Sequence, residues 1–103
     1  MKVRHATPFV NLDRIFEEGL DPMYAVTSSD RKWVWLHTPR LTEWAIPHTS
    51  KRKQVPEEEV VILEVDVPRT CLRSGGWALW KCSYVIEPER IRVLEMCKSL
   101  LVG

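Results

Sequence analysis

The stretch that most constrains the fold is "VVILEVDV", at Val60–Val67. It begins as a continuous run of branched apolar residues and then alternates, with Glu64 and Asp66 as its only polar members. Apolar runs of this length, bounded by a turn residue, are typical of strands buried on both faces, and Pro68 follows directly. The segment therefore predicts a central strand of a sheet in a protein with a packed core.

Composition places the chain among ordinary single-domain proteins, so residues 1–103 are expected to form one domain. The formal net charge is +1, and this near-neutral balance gives no general field that favours nucleic acid or membrane. Cys71, Cys82 and Cys97 lack the spacing of a zinc site or a disulfide framework, which favours reduced thiols and no bound metal. With no signal-peptide pattern and no long apolar run, the expected location is cytoplasmic, without a membrane partner.

The beginning of the chain predicts a strand followed by a helix. Lys2–Thr7 has the composition of a short strand, and "NLDRIFEEGL" places apolar residues three and four apart, on one face of a helix. Asn11 is expected to cap the start of this helix by accepting a backbone N–H bond. Gly19 is expected to end it, because glycine readily takes the left-handed conformation that follows a last helical turn.

A second strand–helix unit is predicted from "KWVWLHTP", at Lys32–Pro39. Thr38 offers a capping hydroxyl, and Pro39 suits the first helical position, where its missing N–H costs nothing. Pro47 is expected to end this second helix. The polar, charged stretch His48–Glu59 is then expected to be a mobile loop.

Strands dominate the expected second half. After a connection with Gly75 and Gly76 at its turn, Ala78–Ile86 is predicted to be a strand, and a last strand is predicted from Ile91. The tail from Cys97 either lengthens that strand or forms a short closing segment. The order β-α-β-α-β-β-β predicts an α+β protein with its helices early and a mainly antiparallel sheet.

Three stretches, taken in order, resemble the ADP-ribosyltransferase-like superfamily, including its small members, the RNA 2′-phosphotransferases. They are "RHATPFVNLDRIFEEGLDP", "VWLHTPRLTEWA" and "VVILEVDVPRTCLRSGGWALWKCSYVIEPERIRVL", which together cover most of the chain. The resemblance implies a split half-barrel of two small, mainly antiparallel sheets, with short helices after the first two strands. It also implies a cleft that binds NAD, as substrate, or an ADP-ribose-containing ligand.

The first two stretches supply the ligand contacts that the resemblance implies. His5 would hydrogen-bond the adenosine ribose, while Arg4, Ala6 and Thr7 line the floor of the cleft. Trp35 takes the place of the family's ring beneath the nicotinamide, and His37 follows on the same face of the strand. Packing roles remain open for His5 and Trp35, as does a turn role for His37.

The third stretch departs from the family's pattern. Many members place a glutamate at the start of the penultimate strand, where its charge stabilises the oxocarbenium-like transition state. Here Ser83 stands at that position, or Cys82 if the register slips by one residue. The phosphotransferases use basic residues instead, and Lys81 offers one. We therefore take His5, Trp35 and Ser83 as the candidate catalytic set.

The functional expectation is a protein that handles NAD or ADP-ribose, as an ADP-ribosyltransferase acting on protein or nucleic acid or as a phosphotransferase-like enzyme. A second interpretation is a catalytically degenerate member that binds a nucleotide or serves as an interaction module. A third is a small nucleic-acid-binding domain that uses its tryptophan faces and the basic run Lys51–Lys53. Whether the chain is an enzyme stays open at this point, because the glutamate is missing.

Overall fold

A computed structural model of the protein describes residues 1–24 and 33–96. This part of the chain forms two helices and six strands, joined in places by single 3-10 turns. The helices are α1 (Leu12–Glu18) and α2 (Thr42–Lys53). The strands are β1 (Lys2–Pro8), β2 (Val34–His37), β3 (Val60–Asp66), β4 (Arg73–Gly76), β5 (Leu79–Cys82) and β6 (Ile91–Glu95). The predicted start of the second strand at Lys32 and the tail from Cys97 lie outside the described residues.

The α+β class and the antiparallel pairing are confirmed. All six strands form one antiparallel sheet in the order β4-β5-β2-β1-β3-β6. The expectation of two separate small sheets is wrong in this respect, because β1 and β2 connect the two halves through the pair Arg4–His37. By contrast, β1 pairs with β3 along its whole length, from Lys2–Asp66 to Pro8–Val60. The sheet is thus two three-stranded halves joined at a narrow seam between β1 and β2.

The strand predicted at Val60–Val67 is confirmed as the buried centre of the β1-β3-β6 half. Its first four residues are all buried, as their apolar character requires. Alternate side chains of β1 and β3, among them Val3 and Leu63, join the residues around α1 in one hydrophobic core. The other face of these strands lies against α2, which buries Ala45 there.

The first helix ends where the sequence predicts. Gly19 follows α1 with φ +86°, and its backbone N–H donates to the Ile15 carbonyl at 2.7 Å. The predicted cap at Asn11 is wrong, since its side chain makes no capping bond; instead its amide donates to the Thr7 hydroxyl at 3.4 Å. The hydroxyl of Thr38, expected to cap the second helix, likewise makes no capping bond.

The mobile loop expected over His48–Glu59 is wrong for its first half. Helix α2 passes through Pro47 and continues to Lys53, and a 3-10 turn follows at Glu57–Glu59. Proline removes one helical hydrogen bond and crowds the preceding turn, at a cost of about 3 kcal/mol. We attribute the survival of the helix to its packing against β1 and β3 and to the stack of Trp44 on His48, which spans the proline with ring centroids 4.3 Å apart.

The turn expected at Gly75 and Gly76 is also wrong. Both glycines belong to β4, an additional edge strand, and the turn to β5 is made by Trp77 and Ala78. Ala78 takes the positive φ of +58° that this tight connection requires. This strand was not predicted because glycine is uncommon in strands.

In the described part of the chain, neither helix is both long and apolar enough to cross a lipid bilayer.

Candidate functional site

A cavity of about 380 Å³ opens beside the seam between β1 and β2. Strand residues form its floor, α1 contributes one wall, and α2 contributes the other. The face of α2 that lines it repeats with helical spacing: Trp44, Ala45, His48, Thr49, Arg52 and Lys53. Four of these six residues follow Pro47, so the extension of α2 builds most of this wall.

Five of the residues predicted to contact the ligand line this cavity together. They are His5, Ala6, Thr7, Trp35 and His37. The two histidines are far apart in sequence, and the seam between their strands brings both to one opening. The sequence-based grouping of the first two stretches at one site thus agrees with the geometry.

Three other candidates do not line the cavity. Arg4 donates from Nη1 to the Thr42 hydroxyl at 2.9 Å, beside the cavity rather than in its floor. Lys81 lies over two indole rings of the neighbouring strand region. Ser83 is exposed and follows the end of β5, outside the cavity. The candidate set of His5, Trp35 and Ser83 is therefore not brought to one opening.

His5 is oriented by the backbone of the neighbouring strand. Its Nδ1 lies 2.7 Å from the Trp35 carbonyl oxygen, so Nδ1 must carry the proton and donate. Burial lowers the pKa of His5, and the positive charges of Lys53 and Arg14 lower it further. At neutral pH the ring is uncharged, and its Nε2 is an acceptor.

His37 is strongly perturbed by its surroundings. Its side chain is buried, with a residue exposure of 4%. Burial, His5 and Arg4 together lower its pKa to about 4. Its Nε2 lies 3.5 Å from the hydroxyl of Thr42, the first residue of α2. His37, for which a ligand contact and a turn role were both open, is thus a buried, neutral member of the cavity wall.

Three cations around the cavity were not among the predicted contacts of the NAD or ADP-ribose ligand, although two of them belong to the basic run Lys51–Lys53. Arg14 comes from α1, whereas Arg52 and Lys53 come from the last turn of α2. Burial, followed by the charges of Arg52 and Arg14, lowers the pKa of Lys53. Asp21 is the only carboxylate among the described residues that line the cavity, and it accepts the Met23 amide N–H at 2.9 Å. The cavity is therefore electropositive, although the whole chain is nearly neutral.

Indole rings provide flat surfaces at the other side of the cavity. Trp33 and Trp35 both line it, with the Lys81 ammonium 4.5 Å and 5.7 Å from their respective ring centroids. The Trp35 ring packs closely on β4, since a Cβ placed on Gly75 would lie 2.5 Å from its Cζ3. The third indole is Trp44 on α2, stacked on His48. A flat heterocycle can stack on such rings.

Among residues 1–24 and 33–96, no acidic side chain of the cavity lining lies on β5 or directly beside it in sequence. Glu64 accepts from Arg92 Nε at 2.8 Å, and Glu87 pairs with Arg90 across a 3.6 Å contact. Neither of them lines the cavity. Cys82 is buried, with its thiol donating to the Tyr84 carbonyl, and burial raises its thiol pKa. These residues act as structural groups rather than as a charged catalytic element.

Within residues 1–24 and 33–96, no group of three His, Cys, Asp or Glu side chains could hold a metal ion. Neither a protein-family model nor a curated protein matches the chain. The interpretation of the site therefore depends on its geometry. Cations, neutral imidazoles and stacking rings within one cavity suit a ligand that carries negative charge, hydroxyl groups and a flat ring.

Proposed function

We propose that the chain is an ADP-ribosyltransferase-like domain whose cavity binds NAD or an ADP-ribose-containing ligand. One observation carries the proposal. His5 and Trp35, from two separate stretches that resemble the superfamily, line one cavity together with Arg14, Arg52 and Lys53. A dinucleotide combines the three chemistries that these residues recognise: phosphates, ribose hydroxyls and a flat ring.

The geometry suggests how such a ligand is held. The pyrophosphate lies towards the cations on α1 and α2, because guanidinium and ammonium groups form charge-assisted hydrogen bonds with phosphate oxygens. A ribose hydroxyl meets the neutral imidazole of His5, whose Nε2 accepts its proton. A base stacks on the ring of Trp35, which Gly75 and Lys81 hold from the side of β4 and β5.

Cleavage of the glycosidic bond of NAD needs a negative charge close to the forming oxocarbenium ion. Asp21 is the only described carboxylate that lines the cavity. At the position where many members of the superfamily have a glutamate, this sequence has Ser83. Binding is therefore the activity for which the support is strongest. Transferase chemistry on a protein or nucleic-acid acceptor is the further part of the proposal that an assay must decide.

Calorimetric titration with ADP-ribose and with NAD tests the binding. We expect one ligand per chain, and Lys53→Gln is expected to weaken the affinity about tenfold through the loss of a charge-assisted bond. Lys51→Gln provides a matched control, because Lys51 lies in the same helical turn but does not line the cavity. The proposal would be contradicted if neither ADP-ribose nor NAD gave heat of binding, or if Lys53→Gln and Lys51→Gln changed the affinity equally.

A nicotinamide-release assay then separates the enzyme from the binding module. Release from NAD by the wild-type protein, reduced in Asp21→Asn, supports a transferase that uses the one available carboxylate. Binding without release, in the presence of protein or nucleic-acid acceptors, supports the catalytically degenerate interpretation. Binding of single-stranded RNA without any affinity for ADP-ribose favours the nucleic-acid-binding interpretation instead.

A second candidate is the RNA 2′-phosphotransferase version of the same chemistry. The observation that favours it is the group of three cations beside three histidines, His5, His37 and His48, around one cavity. Basic side chains suit a ligand with an additional phosphate better than a glycosidic bond that requires an anion. Incubation with an oligoribonucleotide carrying one internal 2′-phosphate, with and without NAD, tests it by loss of that phosphate.

A further inference from the structure

The hydrogen-bond partners of His5 and His37 determine which of their nitrogens carry protons. At His5 the answer is direct, since the partner of Nδ1 is a carbonyl oxygen, which only accepts. At His37 the partner is the hydroxyl of Thr42, which can donate or accept. The other partner of that hydroxyl therefore decides the outcome.

Arg4 supplies this second partner. Its Nη1 donates to Thr42 Oγ1 at 2.9 Å, and a guanidinium cannot accept. The hydroxyl proton of Thr42 must then be donated elsewhere, and Thr42 is a buried residue, at 8% exposure. Among the described residues its only other contact within hydrogen-bond distance is His37 Nε2, at 3.5 Å. If Nε2 carried a proton, the buried hydroxyl would lack an acceptor, which is unfavourable because a buried donor without a partner has lost its hydration for nothing in return.

We propose that Thr42, held by Arg4, is a positioning residue that keeps the proton of His37 on Nδ1. The chain Arg4, Thr42, His37 then leaves Nδ1–H as a donor with no partner among the described residues. At His5 the group without a protein partner is an acceptor instead. Its Nδ1–H is bonded to the Trp35 carbonyl, and its Nε2 is unprotonated. The imidazoles of His5 and His37, which both line the cavity, therefore offer it one acceptor and one donor.

This combination of an acceptor on His5 and a donor on His37 determines which chemical group of a ligand binds beside the two histidines. A hydroxyl suits both imidazoles, since it can donate to His5 Nε2 or accept from His37 Nδ1–H. A phosphate oxygen only accepts, so it meets the lone pair of His5 Nε2 without a proton between them. This part rests on the proposed function, and it assigns a hydroxyl of the ligand to the histidine pair and its phosphates to the cations.

Nitrogen NMR of the ligand-free protein tests the tautomers directly. Long-range ¹⁵N–¹H correlation spectra at neutral pH are expected to show protonated Nδ1 and unprotonated Nε2 in both His5 and His37. In Thr42→Val, which has nearly the same shape but no hydroxyl, the His37 signals are expected to move towards the Nε2–H form. Thr42→Ser retains the hydroxyl and is expected to keep the wild-type pattern. The His5 signals serve as the internal control in both variants.

Wild-type His37 found with its proton on Nε2 would overturn the proposal, even if Thr42→Val failed to fold. Equal spectra for the valine and serine variants would overturn it as well. For the ligand, Thr42→Val is expected to weaken ADP-ribose binding about fivefold, while Thr42→Ser stays within about twofold of wild type. Absence of binding in the wild type would contradict the proposed function alone, because the tautomer measurement needs no ligand.

Discussion

A glycine on the edge strand provides the space that the Trp35 indole fills. A Cβ on Gly75 would lie 2.5 Å from Cζ3 of that ring, closer than two carbon atoms pack. We expect Gly75→Ala to displace the ring and to lower the free energy of unfolding by about 1–2 kcal/mol, in the usual range for overpacking. Urea denaturation measures the change, and Ser74→Ala, at an exposed position on the same strand, serves as control.

A double-variant experiment separates this contact from any general effect on β4. In a Trp35→Leu background the clash is absent, and alanine is then expected to be neutral or slightly stabilising, because glycine within a strand is itself unfavourable. An alanine cost that persists in the leucine background would show that Gly75 does not act through Trp35.

His37 links stability to pH. The unfolded chain takes up a proton near the ordinary pKa of 6.5, whereas the folded protein resists it down to about 4. Below pH 6.5 the unfolded state therefore binds more protons, and the free energy of unfolding falls as the pH is lowered from 6.5 to about 4. The contribution of His37 over this range is on the order of 3 kcal/mol. Urea denaturation at a series of pH values gives the free energy of unfolding as a function of pH. This dependence should be weaker in His37→Gln than in the wild type, and equal dependence in both proteins would show that His37 does not cause it.

Only part of the site was predictable at the residue scale. His5, Ala6, Thr7, Trp35 and His37 were placed together because strand alternation and the family resemblance pointed in one direction. Arg4 was misplaced, since its hydrogen bond to Thr42 depends on where α2 begins. Ser83 was misplaced because β5 ends one residue earlier, at Cys82.

At the scale of elements, helix α2 is the part that local sequence rules describe least well. A proline in the interior normally ends a helix, yet α2 runs on for six residues beyond Pro47. Two of the three cations that line the cavity, Arg52 and Lys53, lie in that extension. If the helix is expected to end at Pro47, their position on the cavity wall cannot be predicted. Nothing in the residues 48–53 alone indicates that they continue the helix, because the packing that sustains it is tertiary.

We expect Pro47→Ala to stabilise the protein. Alanine restores the N–H donor and relieves the crowding of the preceding turn, so the free energy of unfolding should rise by about 1–3 kcal/mol. Lys51→Ala, at an exposed position of the same helix, should change it by less than about 0.5 kcal/mol. Urea denaturation of both variants provides the measurement. A loss of stability in Pro47→Ala would mean that the proline fixes the helix geometry rather than straining it.

At the scale of the whole molecule, the two halves of the sheet differ in how deeply their strands are buried. The β1-β3-β6 half contains β3, whose apolar residues are all buried, whereas the outer strand β4 has exposed or half-buried residues and an irregular register beside Gly76. The seam between the halves is a single pair, which is why a cavity can open there. The sequence predicted the buried centre from its apolar run, but the seam depends on long-range pairing that no local pattern encodes.

This asymmetry predicts two levels of protection against hydrogen exchange. Amides of β3 should open only with global unfolding, because they are covered on both faces. Amides of β4 should exchange through local opening, at a free energy lower by about 2 kcal/mol or more, since few buried contacts hold an edge strand. Native-state exchange measured by NMR gives both values, and equal protection of the two strands would show that the sheet opens as one unit.

An NMR titration of the protein with ADP-ribose, followed through the indole N–H signals, tests directly whether the cavity binds a nucleotide. We expect saturable shifts for Trp35 and Trp33, which line the cavity, and for the backbone amides of His5, Ala6 and Thr7. Trp77, exposed in the β4–β5 turn and away from the cavity lining, should be unaffected. Shifts centred on Trp77, or none at all at millimolar ligand, would contradict the assignment of this cavity as a nucleotide site.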